Sequence, residues 1–292
     1  MSEITLAVRP AGSLAGALVR VARPKLWAKN LLVAAAPAAA GTLGQPATAS
    51  RVLLGIAAFC LVASGVYFLN DAKDVELDRA HPTKRLRPIA AGIVPVGLAL
   101  TLAGILDLAG LVLATAVAPL LGAVLLGYIA LNVGYTLWLK RIALVDLAAV
   151  ASCFVLRAVA GGAAANVTLS AWFLLVVSFG AVFVVAGKRF GELAELGAGR
   201  TRATLESYSP RLLRTIWLGA ALAAFVSYCL WAAEQGGIGY LLTIAPFGLA
   251  LHRYSRCVEV GQGSAPEELL LGEPGLAALA LAWAALFLLA LS

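Results

Sequence analysis

Nine long apolar runs dominate the chain, at residues 27–44, 51–70, 92–113, 116–139, 142–164, 169–188, 213–233, 238–253 and 274–291. A run of about 20 apolar residues spans the hydrocarbon core of a bilayer as a helix. Lipid leaves only helices and closed barrels as spanning structures, because each backbone polar group must find its partner within the protein. These runs are too long and too continuously apolar for barrel strands, which alternate. The expected fold class is therefore all-α integral membrane. It comprises about nine transmembrane helices in one bundle, a single transmembrane domain over 1–292 with a cytoplasmic N-terminal segment at 1–26. The eighth run is the shortest. Composition agrees: 62% of residues are hydrophobic, 13% are charged, and mean hydropathy is +0.93. A soluble domain carries about twice that share of charge. Residues 1–26 show no cleavable leader pattern, and Leu14 to Ala22 has the makings of a short interfacial helix.

The cations order the runs. With the N-terminus inside, alternate loops collect 20 of the 22 Lys and Arg residues. Arg51, at an outer edge, and Arg157, within a run, are the exceptions. Such alternation follows the positive-inside rule. It places the protein in a cell membrane, multi-pass, with its charged loops in the cytoplasm. The net charge of +7 then reflects cytoplasmic loops and phosphate binding, with no nucleic-acid partner. Cys60, Cys153, Cys229 and Cys257 are widely separated and form no metal-binding pair, so they read as small packing residues.

Chemistry concentrates where the second run leaves the membrane, in Asn70-Asp71-Ala72-Lys73-Asp74-Val75-Glu76-Leu77-Asp78-Arg79. At helical spacing Asn70, Asp71, Asp74 and Asp78 fall within an arc of about 100° and spread over roughly 10 Å. Like charges so close repel and call for a cation. Hard oxygen donors without nearby His or Cys suit Mg²⁺, which takes a few carboxylates together with substrate phosphates. Asn70, Asp71, Asp74 and Asp78 are the expected metal ligands, with Asp71, Asp74 and Asp78 carrying catalysis. A solvated helix end would also be acidic, but the next segment favours a site. In His81-Pro82-Thr83-Lys84-Arg85-Leu86-Arg87-Pro88, Pro82 stops the helix and the loop presents three cations. A metal on carboxylates followed by a basic loop is what a diphosphate requires. Such cations also serve as a topology signal and attract anionic lipid.

The run Asn70-Asp71-x-x-Asp74-x-x-x-Asp78 resembles the first aspartate-rich motif of the UbiA superfamily, membrane-embedded transferases with nine helices. The longer run Asp74 to Gly92, DVELDRAHPTKRLRPIAAG, is similar to the decaprenyl-phosphate phosphoribosyltransferase branch of that superfamily. So are RPKLWAKN at Arg23 to Asn30, the segment Tyr135 to Lys140, LRAVAGG at Leu156 to Gly162 and VAGKRFGEL at Val185 to Leu193. The resemblance spans residues 23 to about 210.

One departure is informative. Most superfamily members carry a second DxxxD motif after the sixth helix, yet no Asp follows Asp146 here. That region offers Lys188, Arg189 and Glu192, then Arg200, Arg202, Glu206 and Tyr208. A basic replacement suits a phosphate held directly. Lys188 and Glu192 would also form an ordinary i,i+4 pair.

Charges inside spans are costly and mark functional positions by default. Asp146 and Arg157 share a helix face about 16 Å apart, and Arg157 could close the bottom of a polar cavity or pair with another helix. Asp107 reads as a boundary residue near the outer end of its helix. Tyr135 and Lys140 flank a cytoplasmic helix end, where an aromatic belt is ordinary. Lys29 and Asn30 open the first run, where Lys29 could simply snorkel; the resemblance makes all four site candidates.

The resemblance implies transfer of a 5-phosphoribosyl group from phosphoribosyl diphosphate to a polyprenyl phosphate lipid, with release of diphosphate and Mg²⁺ as cofactor. The substrate-binding set would be Lys29, Arg79, Lys84, Arg85, Arg87, Tyr135, Lys140, Arg157, Lys188, Arg189 and Glu192. An aromatic prenyltransferase using a polyprenyl diphosphate is the nearest rival, and a membrane carrier is more remote. A homo-oligomer remains open.

Overall fold

The structure is a computed structural model that describes residues 13–196 and 207–291. Among the described residues all regular structure is helical. The chain begins with an amphipathic helix, α1 (Leu14–Ala22), whose Ala17 and Val21 are buried. Ser13 caps it by accepting from the Gly16 N–H. Arg23 then takes the left-handed conformation, at φ 52°, and turns the chain into the first apolar run.

That run is not a standard spanning α-helix. It is a 3-10 helix over Pro24–Ala34 followed by α2 (Ala35–Ala39). Eleven residues make a long 3-10 stretch, since such runs seldom exceed four. Its three-residue period stacks Trp27, Asn30 and Val33 on one face. Trp27 Nε1 donates to Ser64 Oγ at 3.1 Å, and Asn30 and Val33 are fully buried. At about 2.0 Å per 3-10 residue and 1.5 Å per α residue, the two pieces extend nearly 30 Å. A close contact pins the far end: a β-carbon on Gly161 would come within 2.0 Å of the Val33 carbonyl oxygen.

Among the described residues seven helices are long and apolar enough to cross a membrane: α3 (Pro46–Lys73), α5 (Val96–Val117), α6 (Pro119–Leu137), α7 (Val145–Ala165), α8 (Ala171–Leu196), α9 (Pro210–Glu234) and α13 (Pro274–Leu291). A short α4 (Val75–Ala80) follows α3. The expected eighth span is broken into α10 (Ile238–Leu242) and α11 (Ile244–Glu259). At the break, buried Thr243 bonds Tyr228, whose hydroxyl also accepts from Trp283. A short α12 (Pro266–Gly272) precedes α13. Two of the nine predicted runs are thus interrupted, and seven match the simple picture.

Helix α3 is the centre of one half, packed against α5, α6, α7 and the 3-10 stretch. Phe59, Val62, Leu121, Leu125 and Ala160 form its core. A second core joins α8, α9 and α11 around Phe183, Trp217 and Tyr254. Large apolar side chains such as Leu53, Leu108, Leu222 and Leu281 project outward. A surface of this kind belongs in lipid, where small residues and polar bonds, more than burial of apolar groups, hold helices together. Asp107 is not at a helix end. It lies midway along α5, where a β-carbon on Gly65 would sit 2.3 Å from its Oδ1.

Candidate active site

The aspartate segment is not one straight helix. Asp74 leaves helical geometry at φ −90°, ψ 8°, between α3 and α4. Backbone bonds still run from Asp74 N–H to the Asn70 carbonyl at 2.9 Å and from Asp78 N–H to the Asp74 carbonyl at 2.8 Å. The chain therefore bends without losing its ladder, and the carboxylates diverge into two groups.

Asp71 and Asp78, 2% and 3% exposed, face Arg87. Its Nη1 lies 3.1 Å from Asp71 Oδ1 and 2.8 Å from Asp78 Oδ2. Arg23 adds a fork on Asp71, its Nη2 at 2.8 and 2.9 Å from the two oxygens. The Arg23 guanidinium also lies over the Tyr67 ring, 5.0 Å from its centre. Asp74 turns the other way, to Lys140 Nζ at 2.5 Å. Asn70 accepts a long bond of 3.4 Å from Thr136. Three elements supply these cations, Arg23 coming from the turn that ends α1. Arg87 comes from the loop whose 3-10 turn spans Lys84–Leu86, and Lys140 from the turn Leu139–Arg141 that ends α6.

The remaining basic residues of the loop are placed differently. Arg79 is exposed and bonds Glu76 and the Ala90 carbonyl, away from Asp71 and Asp78. Arg85 is exposed, and Lys84 is half-buried. His81 Nδ1 faces the N–H groups of Thr83 and Lys84, each at 3.3 Å, so it orders the turn after α4.

A second ionic group lies where the start of α7 meets the end of α8. Asp146 is fully buried and accepts from Arg189 at 2.9 and 3.3 Å and from the Tyr135 hydroxyl at 2.6 Å. Arg189 also bonds Glu192 at 3.0 Å, so the Glu192 carboxylate answers the cation three residues before it. Lys188 is half-buried beside this group. Tyr208 is buried below it, its hydroxyl accepting from the Leu144 N–H at 2.7 Å. Arg200, Arg202 and Glu206 lie outside the described residues.

Beneath the aspartates a cavity of about 130 Å³ opens between α3, α6, α7 and the 3-10 stretch. Lys29, Tyr67, Asn132, Tyr135 and Arg157 provide its polar lining. Arg157 is its buried cation. Of the expected site residues, the fold thus places Asn70, Asp71, Asp74, Asp78, Arg87 and Lys140 around the junction of α3 and α4, in two groups, and Lys29, Tyr135 and Arg157 along the neighbouring cavity. Arg23, Tyr67, Tyr128 and Asn132 complete the constellation and were not singled out from the sequence. Only the RPKLWAKN segment hinted at Arg23.

Hard carboxylate oxygens next to displaceable cations are a donor set that fits Mg²⁺. Among the described residues no three carboxylate, His or Cys groups already converge as ligands. Asp71 and Asp78 meet at Arg87, and Asp74 turns to Lys140 instead.

An all-helical membrane bundle with this bent acidic segment places the chain in the UbiA prenyltransferase family, whose model matches residues 31–272; the protein belongs to that family. It is 44% identical to decaprenyl-phosphate phosphoribosyltransferase of Corynebacterium glutamicum, over 94% of this chain and 86% of the relative. The Mycolicibacterium smegmatis and Mycobacterium tuberculosis (strain H37Rv) proteins of that name are 43% and 42% identical, covering 94% and 98% of this chain and 92% and 97% of theirs. In fold, the chain matches a UbiA homolog from Archaeoglobus fulgidus bound to GPP and Mg²⁺, with a TM-score of 0.74 at 16% identity over 94% of this chain and 99% of that one.

Proposed function

We propose that this protein transfers 5-phosphoribosyl from phosphoribosyl diphosphate to a polyprenyl phosphate, decaprenyl phosphate in the first instance. The product is a lipid-linked pentose phosphate, the precursor of cell-wall arabinose. The observation that carries the reading is 42–44% identity, over nearly the whole chain, to curated decaprenyl-phosphate phosphoribosyltransferases. The geometry supports it. Among the described residues an acidic cluster lies where a diphosphate would sit, and α8 carries Lys188 and Arg189 where a second acidic motif would otherwise hold another metal.

Asp71, Asp74 and Asp78, with Asn70, would hold Mg²⁺. Bound there, the ion would offset the charge that builds on the departing diphosphate. Arg23, Arg87 and Lys140 are within reach of the same volume and would turn from carboxylate to diphosphate oxygens. As the C1–O bond to diphosphate breaks, its electron pair leaves with diphosphate, and an oxygen of the acceptor phosphate forms the new bond at C1. That phosphate is already anionic near neutrality, so no strong base is needed. Catalysis would then rest on positioning and electrostatics. Lys188, Arg189 and Glu192 lie on the α8 side, where they would order the acceptor's phosphate. The site would open to the cytoplasm, consistent with the distribution of cations. Arg79, Lys84 and Arg85 would act from the rim by drawing anionic substrates in.

The test is transfer of label from phosphoribosyl diphosphate into organic-extractable lipid, with decaprenyl phosphate and Mg²⁺. Label should enter the lipid, and EDTA should abolish transfer. Label that stays in water while a polyprenyl diphosphate alkylates an aromatic acceptor would overturn the reading.

A further inference from the structure

Arg157 is 4% exposed and lies in the middle of α7. All of its hydrogen-bond partners are neutral. Nε donates to Asn30 Oδ1 at 2.8 Å, Nη1 to the Cys153 carbonyl at 2.7 Å and Nη2 to the Tyr128 hydroxyl at 2.9 Å. The rings of Tyr128, Phe59 and Phe154 surround its guanidinium, with centres 4.9, 5.7 and 5.8 Å away. Arg189, the other buried arginine among the described residues, has two carboxylates. An arginine buried in a membrane bundle without a carboxylate is costly. Its orientation is nevertheless over-determined by three hydrogen bonds and three rings. The fold holds this cation ready for an anion it does not itself supply.

The cavity it faces is built for one. Lys29 is a second cation in the lining, Asn132 and Tyr135 add polar groups, and among the described residues no carboxylate lines it. Its volume of about 130 Å³ suits a compact polar group. Its upper wall includes Tyr67, one helical turn before Asp71. Phe59, beside Arg157, precedes Asp71 by twelve residues, so the two levels are about 18 Å apart along α3. We propose that this cavity is the subsite for the phosphate monoester on C5 of the donor sugar, with Arg157 as its main anion-binding group. The subsite rests on the phosphoribosyl-transfer reading.

The donor is anionic at both ends. Its diphosphate would lie at the aspartates, its pentose beside Tyr67, and its 5-phosphate between Lys29 and Arg157. A polyprenyl tail in the same cavity would bury apolar carbon against an uncompensated guanidinium. The subsite therefore discriminates between a sugar phosphate donor and a prenyl donor.

The test is binding of ribose 5-phosphate, with ribose as control, to the full-length protein in detergent. Wild type should bind ribose 5-phosphate and not ribose. Asp74→Asn should retain that binding, because the aspartates hold the other end. Arg157→Met should weaken it about tenfold to a hundredfold, the worth of a hydrogen bond to a charged group, and Arg157→Lys should restore part of it. Retained Mn²⁺-diphosphate binding would show that Arg157→Met is folded. Should that variant fail to fold, Asn132→Leu, which fills the cavity and leaves Arg157 in place, should give the same loss. Unchanged ribose 5-phosphate binding in either folded variant would overturn the subsite. A wild type that transfers phosphoribosyl without binding ribose 5-phosphate overturns the subsite alone. One that transfers only a prenyl group overturns the function beneath it.

Discussion

Arg23 donates to both oxygens of Asp71, at 2.8 and 2.9 Å, across 48 residues of sequence. This fork ties the turn after α1 to the acidic end of α3, and with Arg87 and Lys140 it gives each aspartate of the cluster a cationic partner. A metal ion entering alone must displace these cations, whereas a diphosphate arriving with it offers them new partners. Metal and diphosphate should therefore bind cooperatively, each raising the other's affinity by the same factor. Manganese titration by electron paramagnetic resonance should show affinity rising about tenfold or more when inorganic diphosphate is present. In Arg23→Gln, Mn²⁺ alone should bind more tightly and the diphosphate effect should shrink. Equal Mn²⁺ affinity with and without diphosphate in wild type would contradict this.

Asp74 makes its single ion pair with Lys140 and sits at the bend between α3 and α4. Asp74→Asn keeps the shape and removes a charge from the proposed metal site. Turnover should fall by about 10²–10³-fold, the scale for losing one electrostatic contact to a transition state. The unfolding temperature should stay within a few degrees of wild type.

The pair Asp146–Arg189 is buried on both sides, with side-chain exposures of 0% and 3%. Removing Asp146 leaves the buried Arg189 with Glu192 alone, so Asp146→Leu should destabilise the protein, by up to about 3–5 kcal/mol. Combining it with Arg189→Met should restore most of that stability. If the double variant is stable yet inactive, Arg189 serves the substrate as well as the fold. Unfolding curves in detergent, followed by transfer assays, separate the two roles.

Gly161 sits where α7 crosses the 3-10 stretch. A methyl group there would lie 2.0 Å from the Val33 carbonyl oxygen, with Pro37 also close by. Gly161→Ala should cost about 1–3 kcal/mol as overpacking. It should also lower activity, because moving the 3-10 stretch draws Asn30 away from Arg157. Stability assays and donor KM measured on the same preparation check both.

Between α11 and α13, Arg253 donates to Glu273 at 2.9 and 2.7 Å, and the Leu276 N–H donates to it at 2.6 Å. The bonds from Arg253 pull the carboxyl down from 4.5 to about 2. A lowered folded value stabilises above the unfolded value and loses that contribution as pH falls. The difference in melting temperature between wild type and Glu273→Gln should be constant above about pH 5 and vanish toward pH 2.

Asp71, Asp74 and Asp78 were legible because their spacing is helical and a proline closes the segment. Arg87 was legible because the basic loop follows at once. The bend at Asp74 was not, as no glycine or proline marks it and the backbone ladder continues through it. Arg23 was hidden because its reach depends on one left-handed residue that swings α1 back over α3. The first run was read as a span, but three-residue stacking of Trp27, Asn30 and Val33 on α3 and α7 sets its 3-10 pitch, and those contacts are tertiary. Arg157 was visible as a charge in an apolar run. Its neutral surroundings come from Asn30, Phe59 and Tyr128 on three other elements, which no local pattern connects.

The most direct measurement is a side-by-side single-turnover comparison of the purified protein with two donors. One reaction holds phosphoribosyl diphosphate, decaprenyl phosphate and Mg²⁺; the other holds geranyl diphosphate and an aromatic acceptor. Mass spectrometry reads the products. Decaprenyl phosphate gaining one phosphoribosyl unit in the wild type, and not in Asp74→Asn, is the predicted result. Geranylated acceptor with unmodified decaprenyl phosphate would contradict the account.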